Sequence, residues 1–278
     1  MQPRHCTIVV AILIAVAAGA WFYKREHDEL RASARNTFEV RADLLRQYLH
    51  LMRTNVYALK GEIENGYTAI ERGGAQAREL DAIRYYPDHD IWGISGLAQE
   101  GGIDELSGTL TGLDSLADPG PKARTELSAV LGADHLFQTL VSRVPDIIWL
   151  YYTSKNDFIY IAPDPAIADF RFSDVLYDKA FWAQAKPAAN PSQRQIISEL
   201  YRDAYGQGLM ISISSPVHID GEFRGIASLD LGIDLLQDLT AIGTAAGDSL
   251  LVDEAGEIVA RPGEFALDES YPVPPAEG

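Results

Sequence analysis

Between Leu209 and Ser214 the chain alternates, with Leu209, Ile211 and Ile213 on one side and Met210, Ser212 and Ser214 on the other. A period of two predicts a half-buried strand. The polar stretch His218-Ile219-Asp220-Gly221 closes it, and the Asp-Gly pair suits the positive φ of a hairpin turn. Phe223 to Leu229 then runs back to Asp230, just ahead of a short helical pattern at Ile233-Asp234-Leu235-Leu236. A second apolar hairpin lies upstream, Ile147 to Ser154 and Phe158 to Ala162, turning at Lys155-Asn156-Asp157. Two antiparallel hairpins separated by a loop-rich insertion from Pro163 to Leu200 predict a small sheet with a pocket on one face. A third, shorter hairpin, Ser249 to Asp253 and Glu257 to Ala260 around Glu254-Ala255-Gly256, reads as the opening of a second sheet. The residues after it, ending in Tyr271-Pro-Val-Pro-Pro275, are too few to complete that sheet. Residues 241–278 are therefore expected to be poorly anchored, and the sequence reads as a truncated product.

Helical spacing governs the first third. No proline occurs from Lys24 to Arg72, and Leu45, Leu49, Met52, Val56, Leu59, Ile63, Gly66 and Ile70 alternate by four and three. This is a heptad seam, serving either a helix packed on its own domain or a dimer stalk. At 1.5 Å per residue the helix would reach roughly 70 Å. Gly73-Gly74 ends it, Ala75 to Ile83 forms a short helix, and residues 88–121 read as an irregular surface cap. Asp118-Pro119-Gly120-Pro121 launches a further helix, Lys122 to Val144, broken near Gly132. Ahead of the long helix, Thr7 to Tyr23 is a charge-free run of 17 residues with Trp21 and Tyr23 at its end. It is expected to be an uncleaved signal anchor crossing a membrane, with a cleaved signal peptide as the rival.

Charge narrows the class of partner. The 278 residues carry a net charge of −17. Residues 1–25 hold Arg4, Lys24, Arg25 and no acid, so the remainder carries −20. A body this acidic repels phosphate backbones, which excludes nucleic acid as the expected partner. The single cysteine, Cys6, permits neither an intrachain disulfide nor a cysteine-based metal site. The six histidines are scattered without metal-ligand spacing, and no nucleophile elbow, zinc-protease helix or phosphate-binding loop occurs. No catalytic constellation, metal or cofactor is expected in this chain.

What remains is a set of groups around the sheet. Tyr201 and Asp203 precede the second hairpin, Asp230 ends it, and Lys179, Phe181 and Trp182 lie in the insertion. If the insertion folds over the sheet, two carboxylates, a phenol and two aromatic rings converge in a pocket suited to a small organic cation. Each has a plainer alternative: Asp230 as the cap of the helix at Ile233, Asp203 as a turn former, Phe181 and Trp182 as core.

At these residues the sequence resembles the double Cache (dCache) family of sensor modules in bacterial receptors. The similar stretches are Ile148 to Ser154, Phe158 to Pro163, Phe170-Arg-Phe-Ser173 and Leu200 to Leu231, the last matching Tyr-x-Asp, glycine, strand, Pro-Val, Asp-Gly, strand, Asp. The resemblance is strongest to sensor regions ahead of diguanylate cyclases, and weaker to those of histidine kinases and chemoreceptors. It implies an α+β fold in which PAS-like antiparallel-sheet modules stack on a long helix and ligand sits in the membrane-distal one. It assigns a ligand's ammonium to Tyr201, Asp203 and Asp230. The carboxylate-gripping Arg-x-Trp-Tyr element falls on Lys179-Ala180-Phe181-Trp182, where lysine loses the bidentate fork. The implied division is a membrane helix over 1–23, a long helix over 24–74, a distal ligand-binding module over 75–240 and an incomplete proximal module over 241–278. The expected protein is the small-molecule sensor region of a signalling protein in the bacterial inner membrane, facing the periplasm, paired as a homodimer through the long helix. Its output domain lies outside this chain. A constitutive dimerisation module without ligand is the alternative, and a small hydrolase a third possibility that the missing nucleophile–base pair disfavours.

Overall fold

The computed structural model describes residues 3–95, 106–203, 206–243, 249–253, 256 and 258–263, with side chains from residue 16 onward. The remainder, including the expected Pro-rich end and most of the turn at Glu254-Ala255-Gly256, lies outside the described residues.

One helix, α1 (Pro3–Glu71), runs unbroken for 69 residues, about 100 Å. It ends where Gly73 takes φ of 98° and returns its N–H to the Ile70 carbonyl. The heptad seam is consumed inside the module: Met52, Val56, Leu59, Ile63 and Tyr67 are buried in the main core, with Leu45, Leu49 and Ile70 packed at its edge. The other core helices are α2 (Pro121–Gly132) and α3 (Asp134–Arg143), split at Ala133 as the glycine predicted.

The sheet has nine strands: β1 (Arg84–Tyr86), β2 (Ile91–Ile94), β3 (Thr109–Gly112), β4 (Ile147–Ser154), β5 (Phe158–Ala162), β6 (Ile196–Ile197), β7 (Tyr201–Arg202), β8 (Leu209–Ile219) and β9 (Glu222–Gly232). They pair antiparallel in the order β1-β2-β3-β5-β4-β9-β8-β6, with β7 also on β8. Both long hairpins form where the alternation placed them. The turn joining β8 and β9 has φ of 50° at Asp220 and 77° at Gly221, as a twisted two-residue hairpin requires. The irregular cap expected over 88–121 is corrected, because β2 and β3 lie within it and extend the sheet. Their local alternation is weak. Pairing is set instead by close backbone approach, and a Cβ on Gly93 would lie 2.1 Å from the Leu110 carbonyl oxygen.

The two faces of the sheet differ. Leu150, Tyr152, Phe158, Tyr160, Ile211, Ile213, Leu229 and Leu231 face α1 and α2. Trp149, Tyr151, Ile159, Ile161, Met210 and Ile226 form a separate core under the insertion, which carries a 3₁₀ turn at Asp174–Asp178 and the short helix α4 (Ala180–Ala183). After β9 come α5 (Ile233–Ala241) and a two-stranded sheet of β10 (Leu251–Val252) and β11 (Ile258–Ala260). This last piece was expected to be loose. Its described residues are held: Val259 and Ala260 join the main core, Arg41 donates to the Ile242 carbonyl (2.5 Å) and Ser249 Oγ (2.8 Å), and Gln237 donates to the carbonyls of Arg261 and Gly263.

The expected membrane helix is also corrected. Among the described residues no helix is long and apolar enough to cross a membrane. The apolar run of 17 residues is at the short end of the range for a crossing helix. The same helix continues directly into Lys24, Arg25 and Glu26. The expected inner-membrane and periplasmic placement rested on that helix and is not supported without it.

Candidate ligand-binding site

Strand register brings the site together. Trp149 and Ser212 both stand opposite Asp230, on the strands flanking β9, and Tyr201 stands opposite Met210. These side chains share the face beneath the insertion. Turn geometry alone does not produce this arrangement. Ile219 pairs with Glu222 and His218 with Phe223, a count that would set Ser212 against Leu229. A bulge between Val217 and His218 shifts the register by one and puts Ser212 across from Asp230.

Asp230 is 4% exposed. Its Oδ1 accepts from Tyr151 Oη at 2.9 Å and from Ser212 Oγ at 2.6 Å, and Tyr201 Oη lies 2.7 Å from the same Ser212 oxygen. Burial pushes the carboxyl up to about 7. The hydrogen bonds from Ser212, Tyr151 and Tyr201 oppose that rise, and the Asp203 charge adds to it. Burial likewise raises both phenols, Tyr151 and Tyr201, with the Asp230 charge adding to the effect. The helix-cap alternative for Asp230 does not hold, since the N-cap of α5 is Gly232 and no side chain bonds there.

A cleft opens above this group, lined by Trp149, Tyr151, Ile159, Ile161, Phe170, Leu176, Lys179, Phe181, Tyr201, Asp203 and Asp230. It spans ≈ 460 Å³ with its open mouth included, of which ≈ 50 Å³ is accessible to the centre of a water molecule. Five of the six residues singled out in the sequence therefore line one cleft. Phe181 stands edge-on to Tyr151, ring centres 5.0 Å apart, and closes the apolar wall. Asp203 holds its own turn, accepting from the Gln207 N–H at 3.0 Å, while also lining the cleft. Trp182 is the exception. Its ring packs on Tyr177 (4.4 Å) and Phe223 (5.6 Å) and does not line the cleft.

Sequence reasoning missed Tyr151, Ser212 and the aliphatic wall. Tyr151 and Ser212 sit on the less aliphatic side of their strands, a signal that was present. Without the bulge the meeting of Ser212 with Asp230 could not be counted out, and Tyr151 meets it through the separate pairing of β4 with β9. Among the described residues no group of three or more His, Cys, Asp or Glu side chains is placed to hold a metal ion.

No family model matches this chain, and no curated protein does. Solved structures do. One is the ligand-binding domain of the Pseudomonas aeruginosa PAO1 amino-acid chemoreceptor PctC in complex with GABA, 24% identical, TM-score 0.35, covering 46% of this chain and 57% of that one. Another is that of PctB from the same organism with L-Gln, 17% identical, TM-score 0.34, covering 45% and 51%. A third is that of the Pseudomonas fluorescens chemoreceptor CtaA with L-isoleucine, 21% identical, TM-score 0.37, covering 53% and 54%. The chain thus spans just over half the length of the solved structures it matches. The fold is an α+β module with a PAS-like antiparallel sheet, as the resemblance implied. The strand order and the helix behind the sheet carry that statement.

Proposed function

We propose that this chain is a small-molecule sensor module of the double Cache kind, and that its cleft takes a small organic ammonium on Asp230. The observation that carries the reading is a buried carboxylate at the floor of an aromatic and aliphatic cleft, with a second carboxylate, Asp203, and two phenols beside it. An ionised carboxylate in that position is destabilised by its burial, and a cation in the cleft relieves this through a charge-assisted hydrogen bond. The aromatic walls add cation–π attraction. Among the described residues Lys179 is the one base lining the cleft, and a lysine offers a point charge rather than a bidentate fork, which favours an amine over an α-amino acid.

Pairing through α1 is part of the proposal, along a different stripe from the buried seam. Tyr23, Leu30, Leu44 and Leu51 are exposed and separated by multiples of seven residues, so they share one heptad position that a parallel partner helix could cover. Ligand closure of the insertion over the sheet would bias the arrangement of paired helices. The sequence resemblance supports an output region of the diguanylate cyclase or histidine kinase type.

A thermal-shift screen of the whole chain against simple primary amines, amino acids and carboxylates tests the reading. A ligand at a hundredfold excess over Kd stabilises by about 2.7 kcal/mol, about 7 °C for a domain of this size. Shifts with amines and none with simple carboxylates are expected. Failure of every amine, or shifts with carboxylates alone, overturns the ammonium reading.

A further inference from the structure

A second cleft lies at the far end of β9, eight residues from Asp230 and so about 27 Å away along the strand. It is lined by the first turn of α2, by Lys122, Lys155 and Asn156, and by Glu222 and Arg224 of β9, with ≈ 420 Å³ accessible to water. Three cations meet on one carboxylate there. Lys155 Nζ is 2.8 Å from Glu222 Oε1, and Arg224 Nη2 and Lys122 Nζ are 3.0 and 3.4 Å from Oε2. The described lining residues carry a net charge of two positive on a chain whose total is −17, and the buried Glu126 carboxyl lies behind them, accepting from Asn156 Nδ2 at 2.8 Å.

Two further features make it more than a surface ion pair. Arg224 is 5% exposed, held over the Tyr67 ring at 5.2 Å, and its Nε is buried without a hydrogen-bond partner. A buried donor left unsatisfied is costly, and this one belongs to a side chain lining the cleft. The α2 N-terminus beside it has Gly120 as its cap with no side-chain bond and no acid in its first turn, so its leading N–H groups receive no side-chain partner. Among the described residues Glu222 is the only acid in the lining. Its side chain is 44% exposed at the first position after the β8–β9 turn, so it can swing into solvent without moving the strand. The three cations hold its carboxyl down at about 2, Lys155 contributing most, so it stays ionised at any physiological pH.

We propose that this cleft binds a small doubly charged oxyanion, with inorganic phosphate as the simplest occupant, and that Glu222 fills it meanwhile as a displaceable internal counter-anion. With Glu222 swung out, a phosphate dianion faces three cations and offers oxygens to both lysines, the Arg224 guanidinium and the α2 N-terminus together. Displacing Glu222 exchanges one carboxylate for an anion of twice its charge.

The test titrates inorganic phosphate at pH 8 and low ionic strength into the full chain, followed by calorimetry and ³¹P line broadening. Chloride at matched ionic strength serves as the control. Saturable one-site binding that chloride does not reproduce is expected. Glu222→Gln removes the competitor and tightens phosphate by about tenfold or more. Lys122→Met with Lys155→Met, both outside the core, abolishes binding while thermal stability stays near wild type. An exposed acid on the long helix, Glu39→Gln, leaves affinity unchanged. Binding that fails to saturate, that chloride matches, or that Glu222→Gln leaves unchanged overturns the proposal. So does equal tightening by Glu39→Gln, which reduces the effect to overall charge.

Discussion

Replacing Asp230 with asparagine isolates the electrostatics of the site. The amide keeps the oxygen that accepts from Tyr151 and Ser212 and removes the ionisation. In the folded chain the carboxyl sits at about 7, against an ordinary value of 3.8. The folded state therefore holds the proton more tightly than the unfolded one. The stability this contributes is complete below about 3.8, is lost as pH rises, and is gone above about 7. At 1.36 kcal/mol per unit the whole loss is about 4 kcal/mol. The variant's new amide N–H donors need partners, which subtracts about 1 kcal/mol. Urea unfolding of both proteins at pH 4, 6 and 8 reads the difference, because every other titrating group is common to both and cancels. Asp230→Asn is expected to gain on wild type with rising pH and to be about 3 kcal/mol the more stable at pH 8. A difference that stays flat across that range, or a variant weaker at pH 8, refutes a buried, uncompensated carboxylate.

Three other outcomes follow from particular contacts. Tyr201→Phe deletes the hydroxyl 2.7 Å from Ser212 Oγ, one of the groups that lowers the Asp230 carboxyl, so its midpoint should rise further above about 7 in a ¹³C carboxyl titration. On α1, Leu59→Ala opens the core and should reduce stability by 2–5 kcal/mol, whereas Leu44→Ala with Leu51→Ala should leave monomer unfolding nearly unchanged and weaken self-association in sedimentation equilibrium. Gly225→Ala places a Cβ 2.3 Å from the Thr153 carbonyl oxygen in the centre of the sheet, and denaturant unfolding should show a loss of about 3 kcal/mol.

Much of this fold was legible because long hairpins carry their own instructions. Strands β4, β5, β8 and β9 have β-branched or aromatic alternation and turns with Asp or Gly where positive φ is needed, and the structure follows them. The seam on α1 was equally plain, although its spacing could not say whether another helix or a sheet would cover it. In the event Met52, Val56, Leu59 and Ile63 pack into the main core. Strands β1 to β3 were opaque because three- and four-residue strands built on Gly93 and Gly112 have no period to read, and neighbours impose their pairing. Asp203, Asp230 and Tyr201 were singled out by residue type and by the resemblance, and they line one cleft. Tyr151 and Ser212 were not singled out: a one-residue bulge between β8 and β9 decides that Ser212 meets Asp230, and Tyr151 comes from a neighbouring hairpin whose register against β9 no local pattern states. Trp182 was misjudged as a cleft residue for a related reason: neighbouring aromatics on α4 point in different directions, and only Phe181 turns toward Tyr151.

The claim that this module binds an ammonium on Asp230 is tested most directly by titrating the amine with the largest thermal shift into wild type and Asp230→Asn at pH 8, side by side in the calorimeter. A charge-assisted hydrogen bond contributes about 1.5–3 kcal/mol. The variant, at least as stable as wild type, is predicted to bind at least about tenfold more weakly. Undiminished affinity in Asp230→Asn would contradict the account and leave Asp230 a buried structural carboxylate.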